Sequence, residues 1–128
     1  MHSLLQSVSL RYIDETEEIP DSSNATVLTS VDGTLDVDNV SFSYVPDVKL
    51  IENFNLHVKS GQRTAIVGPT GCGKTTMINL LMRFYDTDSG EIRIDGEPIK
   101  DCTRDSMRSM YGMVLQETWL KTGTIREN

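Results

Sequence analysis

The sequence predicts an α/β fold, and three observations point to it. Apolar and polar residues alternate with period two between residues 35 and 58, the pattern of half-buried antiparallel strands. A short apolar run follows, Thr64-Ala65-Ile66-Val67, as expected of a strand covered on both faces in a parallel sheet. A glycine-rich loop then opens a segment whose apolar residues have helical spacing. The 128 residues suffice for one domain with a single core.

Taken in order, residues 3–13 read as a short helix with Leu5, Val8 and Tyr12 near one face, or as a frayed terminal segment. Residues 14–33 are acidic and polar and include Pro20, Ser22, Ser23, Asn24 and Gly33, which reads as a linker. The ordered domain is expected to begin near Thr34. Three alternating strands come next. Leu35 and Val37 alternate with acids, Val40, Phe42 and Tyr44 with serines, and Phe54, Leu56 and Val58 with Asn55 and His57. His57 is expected on a solvated face. Gly61 marks a turn before the buried run at 64–67.

After the loop, Ile78, Leu81, Met82 and Tyr85 fall at i, i+3, i+4 and i+7 and predict a helix that residues 86–90 end. Residues 91–94 read as a strand and Asp95-Gly96 as a tight turn with no further role. Residues 101–110 predict a short helix, and residues 111–115 another buried strand.

Composition bounds the function. Apolar residues make up 38% of the chain and charged residues 24%, ordinary values for a globular domain. The net charge of −7 sits in the N-terminal third, where residues 1–39 carry eight acids against Arg11 alone. Residues 40–128 are balanced and offer no basic stripe, which argues against a nucleic-acid partner. No run of about 18 apolar residues occurs to cross a bilayer, and the N-terminus lacks the pattern of a secretory signal. Cys72 and Cys102 are expected as free thiols.

Gly68-Pro69-Thr70-Gly71-Cys72-Gly73-Lys74-Thr75 matches G-x-x-x-x-G-K-[ST] in full. Each fixed position has a physical task. The glycines permit positive φ and close backbone approach. Successive N–H groups can then converge into an anion nest, and the helix beginning near Lys74 adds unpaired donors and the positive end of its dipole. Lys74 is expected to reach the β- and γ-phosphates of a nucleotide, and the Thr75 hydroxyl to ligate Mg²⁺. Thr76 completes the candidate phosphate-binding set. Cys72 reads either as a small side chain with sulfur in place of a hydroxyl or as a reactive thiol at a helix N-terminus beside Lys74.

The surroundings of the loop narrow the field. Val40-Ser41-Phe42-Ser43-Tyr44, Gly61-Gln62-Arg63 before the loop, Phe84-Tyr85-Asp86, Ser89-Gly90-Glu91-Ile92, Ile94-Asp95-Gly96, Met113-Val114-Leu115-Gln116-Glu117-Thr118-Trp119-Leu120 and Gly123-Thr124-Ile125-Arg126-Glu127-Asn128 resemble an ATP-binding cassette (ABC) domain. The ending is similar to that of the exporter branch, in which the cassette follows membrane helices in one chain. The resemblance implies a P-loop NTPase fold of the ABC ATPase type, truncated to the antiparallel β subdomain and the start of the parallel core sheet with its P-loop helix. It places the end of a transmembrane-domain helix and an acidic linker in residues 1–33. The N-terminal part of the nucleotide-binding domain then occupies residues 34–128.

By position, the resemblance makes Tyr44 the aromatic residue that stacks on adenine. It makes Gln116 a contact of Mg²⁺ and of the attacking water, so that Lys74 and Gln116 become the candidate catalytic residues. The neighbourhood of Trp119 and Leu120 faces the membrane part in the family. ATP and Mg²⁺ are the implied cofactors. The implied partners are a second nucleotide-binding domain, paired head to tail, and a transmembrane domain, at the cytoplasmic face of a membrane.

Departures are equally informative. No Leu-Ser-Gly-Gly-Gln signature, no apolar strand ending in Asp-Glu and no later switch histidine occurs in these residues. The chain is therefore expected to be a fragment that binds nucleotide weakly and turns it over hardly at all. A phosphate-loop kinase or GTPase is disfavoured by the 67 residues before Gly68 and by the lack of an Asn-Lys-x-Asp segment. A non-catalytic nucleotide-binding module is the remaining alternative.

Overall fold

A computed structural model describes residues 18–114 and Thr124. The expectations for residues 3–13, Leu115, Gln116, Trp119 and Leu120 lie outside the described residues. Strands β1 (Leu35–Phe42), β2 (Ile51–Val58), β3 (Ser89–Ile94) and β4 (Glu97–Pro98) form an antiparallel sheet in the order β2-β1-β3-β4. Helix α1 (Lys74–Leu81) follows the glycine-rich loop, and a 3₁₀ turn (Ile99–Asp101) leads to helix α2 (Arg104–Ser109). The core joins Val37, Val40, Phe42, Ile51, Ile92 and Ile94 of the sheet to Met77 and Leu80 of α1 and to Ile99, Cys102 and Met107. Burying each large apolar side chain of this set is worth about 1.5–3 kcal/mol.

The first two of the three expected strands are one. Val37 and Val40 are both buried although they are three residues apart, because β1 carries a bulge where its register shifts against both neighbours. Asn39 takes a left-handed conformation there, with φ 48°. The Asn39 N–H donates to Asn55 Oδ1 (2.9 Å), and Asn55 Nδ2 donates to the Asn53 carbonyl (2.8 Å), so side chains replace the broken ladder bonds. The change of parity in the sequence is thus a bulge and not a break between two strands. His57 lies on the exposed face as expected and is paired there with the Asp36 carboxylate.

The runs at 64–67 and 111–114 do not form strands. Parallel strands take their hydrogen bonds from neighbouring strands, and no described strand runs beside these segments. Val67 and Val114 remain 86% and 85% exposed. The start of a parallel sheet is therefore not formed among the described residues.

Helix α1 also departs from its expected face and length. Thr76, Met77 and Leu80 are buried, while Ile78 and Tyr85 are exposed. The face that meets the sheet wins over the face with the most regular apolar spacing. The helix ends at Leu81 in a Schellman motif, with the Arg83 N–H bonded to the Leu80 carbonyl (3.0 Å) and the Phe84 N–H to the Asn79 carbonyl (2.9 Å). Arg83 fills the left-handed position, φ 54°, that glycine usually takes. Its buried guanidinium donates to the carbonyls of Ile99 (3.2 Å) and Cys102 (2.9 Å), which offsets the backbone strain. Arg108 Nε and Nη2 satisfy the Met82 and Arg83 carbonyls at 3.0 Å each.

The helix expected at 101–110 is split, because Cys102 is extended and pairs with Thr26 in a parallel bridge. The Thr26 N–H donates to the Asp101 carbonyl (2.7 Å), and the Thr103 N–H donates to the Thr26 carbonyl (2.8 Å). Residues 18–33, read as linker from their composition, are thereby strapped to the domain. Asp21 bonds the Arg104 backbone N–H (2.8 Å) and guanidinium (2.7 Å), and Glu18 bonds Arg108 (2.8 Å). The Arg104 backbone N–H, foremost, lowers the Asp21 pKa, and the Arg108 hydrogen bond lowers that of Glu18.

Asp95 does more than make a turn. Its carboxylate accepts the N–H groups of Asp32 (2.7 Å), Gly33 (3.1 Å) and Thr34 (2.8 Å), fixing the entry to β1. The Thr34 N–H in particular holds the carboxyl below its ordinary value.

Candidate phosphate-loop site

Residues 68–73 connect the exposed 64–67 segment to α1, and three features shape them. Gly71 and Gly73 have φ of 81° and 98°, which only glycine adopts without strain. A Cβ on Gly73 would also meet Ile51 Cγ1 at 3.1 Å, so the loop rests against β2 where a larger residue would push it away. Gly73 is the N-cap of α1, no side chain caps the helix, and no acid stands in its first turn. The first-turn N–H groups and the positive helix end are therefore left for an anion.

Lys74 folds back over the loop. Its Nζ donates to the carbonyls of Gly68 and Pro69 (2.8 Å to the latter) and lies 3.6 Å from Cys72 Sγ. Cys72 is exposed and turned toward Gly68, where a Cβ would stand 2.5 Å from its sulfur. An open cleft of about 380 Å³ is lined by Leu50, Thr70, Gly71, Gly73, Lys74, Thr75 and Thr76. This donor set, one ammonium and uncapped N–H groups with glycines in place of side chains, fits a chain of phosphates.

Tyr44 reaches the same helix. The Thr76 hydroxyl donates to Tyr44 Oη at 3.1 Å and Asn79 Nδ2 donates to it at 3.4 Å. The ring packs edge-on with Phe42 (4.9 Å) and Tyr85 (5.1 Å) and remains 49% exposed. The structure thus brings together Tyr44 and residues 68–76, and Gln116 lies outside the described residues. Asn79 and Tyr85 were not legible as part of this constellation, because nothing in their spacing marks a contact with residue 44.

The chain matches the family model described as ABC transporter over residues 51–128. The chain belongs to the ABC transporter family. This ABC chain is 48% identical over 116 residues to a fatty acid ABC transporter ATP-binding/permease protein of Mycobacterium bovis, covering 91% of the chain and 18% of that protein. It is 42% identical to the mitochondrial iron-sulfur clusters transporter ATM1 of Debaryomyces hansenii, covering 98% and 19% respectively. The fold is that of the ABC ATPases. A bacterial Atm1-family ABC exporter solved with ATP bound superposes with a TM-score of 0.71 at 39% identity, over 81% of this chain and 18% of that one. The ABC chain thus spans about a fifth of the length of the relatives it matches. Among the described residues no helix is long and apolar enough to cross a membrane.

Proposed function

We propose that this ABC chain binds Mg-ATP through residues 68–76 and Tyr44, as part of an exporter ATPase that couples ATP hydrolysis to transport. The observation that carries this reading is the Lys74 ammonium, folded over the loop 2.8 Å from the Pro69 carbonyl, beside the uncapped N-terminus of α1 at a cleft lined by Thr70, Gly71, Gly73 and Thr75. Lys74 and the backbone N–H groups bind the phosphates, and the half-exposed Tyr44 ring receives the adenine. Stacking of this kind is worth about 1–3 kcal/mol per base in nucleic-acid complexes.

The Thr75 hydroxyl and the Gln116 amide oxygen would hold Mg²⁺. Among the described residues no group of three His, Cys, Asp or Glu could hold a metal alone. A hydroxyl and an amide oxygen suit an ion which keeps waters and takes most of its charge balance from nucleotide phosphates. When bound, Mg²⁺ neutralises charge on those phosphates.

The parent protein is proposed to act at the cytoplasmic face of the cell membrane, as a multi-pass protein with a second cassette paired head to tail. The relatives named above carry different cargoes by name, so similarity to them assigns no single cargo to this chain. With no signature segment and no Asp-Glu strand end among its 128 residues, this chain binds ATP but hydrolyses it poorly.

A phosphate-release assay beside calorimetric titration tests the reading. Saturable Mg-ATP binding that Lys74→Ala weakens at least tenfold, with release at background, is expected. Steady turnover lost in Lys74→Ala would contradict the catalytic half of the proposal, and absence of binding would contradict the whole.

A further inference from the structure

Tyr44 stands just past the end of β1, in an exposed connection that closes on itself through the Val48 N–H to Val45 carbonyl bond at 2.9 Å. Val45 and Val48 beside it are 55% and 63% exposed. A stacking platform on such a segment needs its orientation set from elsewhere. Three contacts set it. Ser43, the residue before, bonds Asp88 through both its N–H and its hydroxyl at 2.9 Å. The rings of Phe42 and Tyr85 pack edge-on against Tyr44, at interplanar angles of 86° and 85°. The Tyr44 hydroxyl is held by Thr76 and Asn79, three residues apart on one face of α1. Thr76 is only 5% exposed and gives its hydroxyl proton to this bond.

We infer that Thr76 and Asn79 are positioning residues for the base. Through the Tyr44 hydroxyl they hold the ring in register with the helix that also carries Lys74, so one rigid element sets both the phosphate grip and the purine platform. The inference rests on the reading that Tyr44 receives the adenine. Its physical content is preorganisation: an aromatic side chain already fixed loses less rotamer freedom when a base docks on it. A tyrosine serving only as core filling would need no such tether, and phenylalanine would replace it without consequence for nucleotide.

The test uses Mg-ATP and Mg-tripolyphosphate as probes, titrated into the 128-residue chain and its Tyr44→Phe, Asn79→Ala, double and Tyr44→Ala variants. Tripolyphosphate has the phosphates without the base. Tyr44→Phe and Asn79→Ala are each expected to weaken ATP about three- to tenfold and to leave tripolyphosphate unchanged, with the double variant no worse than the weaker single one. Equal losses for both ligands, or no loss for either, overturn the inference. Loss in Tyr44→Ala with none in Tyr44→Phe or Asn79→Ala keeps the platform and overturns the tether. No ATP loss even in Tyr44→Ala removes the platform itself. NMR of labelled tyrosine rings reads the tether without nucleotide. Faster averaging of the Tyr44 ring signals in Asn79→Ala is expected, and signals identical to wild type overturn the inference whatever the titrations give.

Discussion

Gly90 in β3 faces the bulge of β1 so closely that a Cβ on it would stand 2.4 Å from the Asn39 carbonyl oxygen. Its φ is 80°, so the position is closed to other residues by backbone conformation as well as by space. The bulge brings both Val37 and Val40 into the core, and it can form only where its neighbour lacks a side chain. Gly90→Ala is expected to cost about 3 kcal/mol or more in urea unfolding. Gly96→Ala is the control. It shares a positive φ, 85°, but has nothing within 4 Å, and should cost only about 1–2 kcal/mol.

Acid should unfold the N-terminal strap early. Asp21, Glu18 and Asp95 have folded pKa values below their ordinary 3.8, 4.5 and 3.8. A depressed carboxylate contributes stability that is complete above the unfolded value and is lost as pH falls through the folded one. Stability should therefore be level above about pH 5 and fall below about pH 4. Chemical denaturation from pH 7 to pH 3 checks this, and Asp95→Asn should flatten part of the fall. Equal pH slopes in wild type and Asp95→Asn would contradict it.

Arg83 joins α1 to the strap and to the 3₁₀ turn. Arg83→Ala removes a guanidinium that is 7% exposed and leaves the Ile99 and Cys102 carbonyls without their donor. Breaking such a buried charge network costs about 3–5 kcal/mol. Thermal unfolding should show a large drop in Tm, whereas Lys49→Ala, at an exposed pair with Glu52, should leave Tm nearly unchanged.

The two cysteines should differ in reactivity. Cys102 is buried, its thiol directed at the Pro98 carbonyl (3.4 Å), and burial pushes its pKa up. Cys72 is exposed in the loop, 3.6 Å from the Lys74 ammonium. Alkylation followed by mass spectrometry should modify Cys72 alone, and saturating Mg-ATP should slow it at least severalfold. Equal rates with and without nucleotide would remove Cys72 from the ligand's neighbourhood.

What could be read from sequence was mostly what is local. The period-two runs around Val37, Phe42, Leu56 and Ile92 carry β1 to β3, and the loop motif is contiguous, so both were legible. The parity change at Asn39 reads in the sequence as a break between two strands and not as a bulge, since its cause lies in Gly90 on another strand. The strap looked like a linker because Asp21 finds Arg83 and Arg104 only 62 and 83 residues later. The end of α1 was hidden because an arginine occupies the left-handed position. The 64–67 run does not pair as its apolar pattern predicts, because strand formation depends on a neighbour, which an apolar run cannot supply by itself. In the site, Tyr44 was legible only through family resemblance, and its tether to Thr76 and Asn79 was not.

Titration of the chain with a fluorescent ATP analogue, with and without Mg²⁺, beside Lys74→Ala, tests the central claim most directly. The account predicts saturable binding that Mg²⁺ strengthens and that Lys74→Ala weakens at least tenfold in a chain with an unchanged far-UV circular dichroism spectrum. Binding that is absent in the folded wild-type chain, or equal in wild type and Lys74→Ala, would contradict the assignment of residues 68–76 as a nucleotide site.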